Sequence, residues 1–302
     1  MQLRQLEVFF AVMSTGSITS ASRLLNITQP GASKIIQQLE RKLGFALFAR
    51  TGGRLRPTPE ASVLFKEVQL LYAQFEKIQM LGRNLKKGTS QSRLRISCTT
   101  GLAHDVLPLA IQLFCKAHPD CEVELHTSHA RGIIDALLLR EIDLGFAFDP
   151  PEHPAIERCH MGTAELVCIA PPELALGGAE IAYASLERHA FIGMHRDDPL
   201  GILFRTAINA AGVELSSKVV VRTYLMARSL VGRGEGISVV DQYTALHGEP
   251  GAVRIRCLMP PIQFEVTALW AKDSEPSLLQ KSLIASFQKA EKTMARQLKA
   301  AL

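Results

Sequence analysis

The sequence of 302 residues contains no run of about 18 apolar residues, so no helix is expected to span a membrane. Six cysteines occur (Cys98, Cys115, Cys121, Cys159, Cys168 and Cys257), but none forms a C-x-x-C pair and no Cys/His cluster has zinc-finger spacing. They read as small buried thiols in a reducing compartment. There is no G-x-S-x-G, no H-E-x-x-H and no P-loop. Gly232-Arg233-Gly234-Glu235-Gly236 invites a nucleotide reading, but it follows a predicted helix and enters a predicted strand, the reverse of a dinucleotide-binding turn. No catalytic set, metal or cofactor is therefore expected. The first residues form an amphipathic pattern holding Arg4 and Glu7, unlike a signal peptide, so a cytoplasmic location is expected.

Acids are also scarce, but only at one end. Residues 1–92 hold 13 Lys/Arg against 5 Asp/Glu, whereas the remainder holds 21 against 24. A basic third on a near-neutral remainder points to a polyanion partner for that third.

What is present there has a definite form. Leu3, Leu6, Phe10 and Met13 recur at helical spacing, and Gly16 ends that helix. Ser17 or Thr19 can cap a short helix over 20–25. After a tight turn, Thr28 can cap a helix with Pro30 in its first turn and Gly44 at its stop. Ala32, Ile36, Leu39 and Leu43 give that helix a core face, leaving Gln29, Ser33, Lys34, Gln37 and Arg41 outside. Alone this could be a solvated amphipathic helix. Preceded by a short helix and tight turn, it describes a helix-turn-helix whose outer face suits phosphates and base edges. Gly52-Gly53, flanked by Arg50, Arg54 and Arg56, reads as a small hairpin, a wing near the DNA backbone. From Pro59 to about Lys87, Ala61, Leu64, Val68, Leu71, Phe75, Ile78 and Leu85 follow a seven-residue repeat, expected to pair with another helix. The alternative is a helix lying on its own domain. Residues 86–92 are polar and small, a hinge.

These motifs carry a resemblance. Leu6 through Phe10, Gly16 to Ser22, Leu25 to Pro30, Ser33-Lys34, Leu39-Glu40, Leu43-Gly44, Leu47 to Arg50 and Thr58 to Ala61 resemble the DNA-binding module of LysR-type transcription regulators. The chain departs from the commoner pattern at Gly31, Pro57 and Glu60-Ala61. The resemblance implies a winged helix-turn-helix over 1–58, a linker helix and hinge over 59–92, and an effector-binding domain over 93–302. Thr28, Gln29, Pro30, Ser33, Lys34, Gln37, Arg50, Arg54 and Arg56 would meet double-stranded promoter DNA. Leu64, Val68, Leu71, Phe75 and Ile78 would form the dimer seam. Pairing of the C-terminal lobes would then give a homotetramer, with RNA polymerase a further partner and activation or repression the output.

From residue 93 strands and helices alternate, expected as strands at 94–98, 122–127, 143–148, 165–170, 190–193, 218–222, 236–240 and 264–270, with helices at 106–117, 132–140, 224–231 and 277–297. Pro150-Pro151, Pro154 and Gly162 should interrupt the run. The resemblance makes this two α/β lobes like a periplasmic binding protein, lobe I about 93–161 with 267–302 and lobe II about 162–266. Open α/β sheets bind ligands at the carboxyl ends of strands. That rule selects Thr99, Thr100, Ser128, His129, Phe148, Asp149, Met194, His195, Asp198 and Asp241 as effector residues. Asp241 stands where the family more often has proline, an ending similar to the amino-acid- and opine-responsive branch. A carboxylate on Thr99-Thr100 and an ammonium on Asp241 or Asp149 would select a zwitterion. The alternative for Asp241 is that it caps a helix starting at Gln242. Two rival classes are a cysteine-based redox sensor and an α/β enzyme fused to a DNA-binding module.

If Gln29 reads bases, Gln29→Ala lowers binding to the cognate site more than to random DNA. Arg54→Ala should weaken both and flatten the salt dependence by about one counterion. Gel shifts at two salt concentrations check this, and equal losses for Gln29→Ala contradict base reading.

Overall fold

The computed structural model describes residues 1–302 apart from 52–53, 88–92, 175–176, 197, 274 and 302. It also leaves undescribed the side chains of 50–51, 54, 76–77, 80–81, 83–87, 299 and 301. Two compact units divide at residues 83/84.

The first unit is built from α1 (Leu3–Thr15), α2 (Ile18–Leu24), α3 (Gln29–Leu43), the antiparallel strands β1 (Phe48–Thr51) and β2 (Arg54–Pro57), and α4 (Pro59–Lys87). Gly16 stops α1 in the left-handed region at φ 68°. The Ser17 hydroxyl accepts from the Ser20 amide at 3.4 Å, so α2 starts two residues earlier than expected and Thr19 lies inside it. The Thr28 hydroxyl accepts from the Gly31 amide at 3.2 Å, and Gly44 ends α3 at φ 80°. Ala32, Ile36 and Leu39 are buried against Leu6, Phe9 and Val12 of α1. Glu40, the one acid of α3, turns inward: its Oε1 accepts from the Leu47 and Phe48 amides at 2.8 and 3.2 Å, fixing where the wing begins. The Thr58 hydroxyl caps α4 at Ala61 (3.1 Å) and donates to the Ala46 carbonyl (2.9 Å).

The proposed seam splits in two. Ala61 and Val68 are buried, and Leu64, Phe65 and Tyr72 pack on the same core, with Tyr72 stacked on Phe10 at 4.3 Å. Val68 is therefore not free for a dimer seam, a correction to the sequence reading, and Leu64 is half-buried on the same core. Phe65 and Tyr72 of this stretch meet Phe9 and Phe10 of α1, packing that a heptad pattern cannot distinguish from a second chain. Leu71, Phe75 and Ile78 remain exposed at 42%, 47% and 66%. The Leu85 side chain and the hinge residues 88–92 lie outside the described residues.

The second unit contains β3 (Arg93–Cys98), α5 (Thr100–Ala103), α6 (Val106–Ala117), β4 (Glu122–Thr127), α7 (Ala130–Leu138), β5 (Leu144–Phe148) and β6 (Ile156–Ala170). It continues with β7 (Glu180–Ala182), α8 (Tyr183–Leu186), β8 (Phe191–Met194), α9 (Pro199–Ala210), β9 (Ser217–Val221), α10 (Tyr224–Val231) and β10 (Ile237–Asp241). It closes with α11 (Gln242–Leu246), β11 (Arg254–Ala271) and α12 (Leu278–Ala301). The strands form one sheet in the order β4-β3-β5-β11-β6-β10-β8-β9, with β7 added on β11. β3, β4 and β5 are mutually parallel, as are β10, β8 and β9. The long antiparallel pair β6 and β11 joins these halves.

Gly162 does not break the chain as its identity suggested. It lies inside β6 opposite Val266, beside a register shift, and a Cβ there would meet the Glu291 carboxylate of α12 at 2.8 Å. Glycine marks a close approach here, not a turn. Past this point β6 stops serving the half that contains β5 and begins pairing with β10 at Leu166. In α12, Leu283, Phe287, Ala290 and Met294 are buried at helical spacing, and Phe287 stacks on Phe146 at 4.2 Å.

A charge at Val68 would be buried without a partner, so Val68→Glu is expected to destabilise the first unit by several kcal/mol, about 3 or more. Phe75→Glu should leave the melting temperature in place yet lower the mass seen by light scattering. An unchanged mass for Phe75→Glu would remove the exposed half of α4 as a self-association surface.

Candidate functional site

Two surfaces carry chemistry. On the first unit, Thr28, Gln29, Pro30, Lys34 and Gln37 are exposed along α3 and Ser33 is half-buried beside them, all away from the core face. Glu40 is occupied with the wing amides, so this face presents donors and cations without an opposing acid from the helix. Arg56 is exposed on β2, whereas the side chains of Arg50 and Arg54 lie outside the described residues.

In the second unit, a cavity of about 150 Å³ opens between the two halves of the sheet. Its walls come from carboxyl ends of strands and the helices they feed. Thr99, Thr100, Gly101 and His104 follow β3, Ser128, His129 and Ala130 follow β4, and Phe148 ends β5. From the other half come Asp198, Pro199 and Leu200 at the start of α9, Arg222 to Leu225 after β9, and Thr244. The first turns of α5, α7, α9 and α10 thus converge on one space, and helix N-termini favour anions. The α9 and α10 ends are closed by their own caps: Asp198 Oδ2 accepts from the Gly201 amide at 2.6 Å, and the Thr223 hydroxyl from the Met226 amide at 3.3 Å. Neither α5 nor α7 has a side-chain cap hydrogen bond.

Two wall atoms stand out. Thr99 Oγ1 and His104 Nε2 are buried and make no hydrogen bond among the described residues. Such groups are costly unless something else satisfies them. The His104 ring lies tilted against that of His247, centroids 4.9 Å apart; burial, then His247, lowers its pKa and favours the neutral imidazole. Across the cavity, Asp198 Oδ2 also receives the hydroxyl of Tyr224, whose pKa is raised chiefly by burial and then by Asp198.

Of the ten effector residues expected from sequence, Thr99, Thr100, Ser128, His129, Phe148 and Asp198 line this cavity. Four do not. Asp241 is fully buried and caps α11, accepting from the Thr244 amide at 2.9 Å and the Thr244 hydroxyl at 2.7 Å. Its carboxylate also lies where a side chain on Gly101 would sit, 2.8 Å from that ideal Cβ. Asp149, in the left-handed region at φ 36°, spends its Oδ1 on the Glu265 amide at 2.7 Å, tying β5 to β11. Asp241 is buried with both oxygens bonded, and Asp149, with one oxygen bonded, is not among the residues lining the cavity, so both assignments are corrected. Met194 and His195 line a separate cavity under α9, in which the His195 amide donates to the Val221 carbonyl at 2.9 Å. Sequence reasoning missed His104, Arg222, Thr223, Tyr224 and Thr244. The strand-end rule would have found the middle three had it been applied to the strand ending at Val221.

The comparisons agree with this division of labour. Residues 3–62 match the profile of the bacterial regulatory helix-turn-helix protein, lysR family, and residues 87–292 that of the LysR substrate binding domain. The chain is 37% identical over 270 residues to the HTH-type transcriptional regulator DgcR of Pseudoalteromonas sp, covering 89% of this chain and 92% of that protein. It is 30% identical over 258 residues to the octopine catabolism/uptake operon regulatory protein OccR of Rhizobium meliloti, covering 82% of each. Its fold is similar to that of full-length CbnR complexed with its target DNA, with TM-score 0.55 and 20% identity over 96% of this chain and 100% of that one.

Burial raises the pKa of Asp241, the Thr244 bonds offsetting this only in part. A raised carboxyl pKa penalises the fold at neutral pH and is relieved as pH falls. Asp241→Asn should therefore melt at or above wild type at pH about 7, the gap closing toward pH about 4. Asp241→Ala should lose about 1 kcal/mol with the cap. Thermal unfolding across that range decides, and a large loss in Asp241→Asn would contradict a purely structural role.

Proposed function

The chain belongs to the LysR family of transcription regulators, and on that premise we propose which of its residues meet DNA and what its cavity holds. It is a DNA-binding regulator with an effector-binding domain, not an enzyme. Residues 1–58 are assigned to promoter DNA, with Gln29, Ser33, Lys34 and Gln37 toward base edges and Thr28, Pro30, Arg50, Arg54 and Arg56 along the backbone. Residues 59–92 are assigned to self-association through Leu71, Phe75 and Ile78, and residues 93–302 to the effector. The lobes divide near residues 161/162 and 266/267. A tetramer joined through those lobes would translate lobe angle into promoter contacts, and into contact with RNA polymerase.

The effector is an amino acid or amino-acid derivative. The observation that carries this is the pair of unpartnered wall atoms, Thr99 Oγ1 and His104 Nε2, beside helix ends left uncapped. A ligand carboxylate placed there would satisfy Thr99 and the free amides of α5 and α7. Asp198 takes the ammonium role that sequence gave to Asp241 or Asp149, and Arg222 offers a fork for a second acidic group. OccR, regulator of an octopine operon, is a relative whose name points to the same ligand class.

Calorimetry of the full chain with octopine and with free amino acids tests this. Thr99→Val removes a hydroxyl that has no partner in the unliganded protein, so it should unfold at or above the wild-type temperature. It should bind its best amino-acid ligand about tenfold more weakly, or ~1.4 kcal/mol. No amino-acid ligand at all, or an affinity that ignores Thr99→Val, contradicts the assignment.

A further inference from the structure

A second cavity lies wholly within the half of the sheet formed by β10, β8 and β9. It measures about 380 Å³, larger than the cleft cavity at about 150 Å³. One wall is the inner face of α9, where Leu200, Gly201, Phe204, Arg205 and Ile208 recur at helical spacing. The facing wall is sheet. Phe191 and Gly193 share one face of β8, and Val220 pairs with Gly193 in register. Gly193 brings no side chain to that face, and Ser217 Oγ would lie 2.7 Å from a Cβ built there. Ser217 takes the place a Gly193 side chain would fill, and Val220 beside it is 57% exposed.

The lining is apolar at depth and cationic at its edge. Phe191 stacks on Phe204 with ring centroids 5.7 Å apart, and Leu166, Ile208, Leu215 and Val239 complete the interior. Arg205 reaches over this space from α9, its Nη2 donating to the Arg196 carbonyl at 2.5 Å, a bond that holds the guanidinium in place with other N–H groups to spare. Among the described residues no acidic side chain lines the cavity. A concave space with an aromatic and aliphatic interior and two arginines on its edge, Arg196 and the tethered Arg205, is how proteins hold a ring that bears an anion.

We propose that this cavity is a second small-molecule site, taking an aromatic monocarboxylate with its ring beside Phe191 and Phe204 and its carboxylate on Arg205. Tyr224 and Leu200 line both cavities, and the Tyr224 hydroxyl is bonded to Asp198 in the cleft wall. An occupant under α9 therefore presses on the residue that positions Asp198. Coupling through such a shared wall acts equally in both directions. The site does not depend on what the cleft binds.

Phenylacetate is the probe, titrated calorimetrically into the full chain. Wild type is expected to bind one equivalent per chain. Arg205→Ala should weaken it at least tenfold, and Val220→Trp, which fills the open edge from an exposed strand position, should abolish it. Both variants should retain the wild-type melting temperature. Thr99→Val, in the cleft, should bind phenylacetate as wild type does. Absence of binding, affinity unchanged in both Arg205→Ala and Val220→Trp, or loss in Thr99→Val would each overturn the site. The last result would place phenylacetate in the cleft.

Discussion

The antiparallel pairing of β6 with β11 is the constraint on which the effector-binding unit depends. Two strands run through both halves of one sheet, and each half builds its own parallel set on them. Backbone hydrogen bonds along this pair keep the halves joined while their facing strand ends leave a space between. The close approach of Glu291 to Gly162, and the bond that the Glu265 amide donates to Asp149 Oδ1, both fall where β6 and β11 pass from one half to the other. Asp149, which looks like a ligand group in sequence, is thus spent on holding the crossing in shape. Asp241, buried against Gly101 on the opposite side of the cleft, is spent in the same way.

This separation of structural from available acids decides the chemistry of the cleft. A carboxylate with backbone amides and hydroxyls on both oxygens has little left for a ligand, and burial alone disfavours its charge. Asp198 differs because it lies in the cavity wall, where Asp149 does not, and its bonds from the Gly201 amide and the Tyr224 hydroxyl both go to Oδ2. Thr99 and His104 line the same cavity, and Thr99 Oγ1 and His104 Nε2 are buried without a hydrogen-bond partner among the described residues. Opposite needs on opposite walls are what a zwitterion would satisfy, and a ligand that bridges them also bridges the halves.

Much of the architecture was legible because its signals are local. The caps at Thr28 and Thr58, the stops at Gly16 and Gly44, and the alternation of strands and helices after residue 93 were each written in a few adjacent residues. What was not legible required knowing what lies across a space. Leu64 and Val68 follow the same repeat as Phe75 and Ile78, and only their packing on the core of the first unit sets the first two apart. Pro150, Pro151 and Pro154 do fall in the gap between β5 and β6, but Gly162, which also suggested a break, lies inside β6 from Ile156 to Ala170. The helix Pro199–Ala210, capped by Asp198, was overlooked, and with it one wall of the second cavity. In the cleft, strand-end position alone found six wall residues and also Asp149 and Asp241. Hydrogen-bond partners, which sequence does not show, separate the two sets.

The most direct test is a crystal structure of the chain bound to an amino-acid ligand of the class proposed for the cleft. The expected result is a carboxylate oxygen about 3 Å from Thr99 Oγ1, with the ligand ammonium on Asp198 across the cavity. A ligand that touches only one half of the sheet, or one whose ammonium lies on Asp149 or Asp241, would contradict the reading of the cleft as a bridge for a zwitterion.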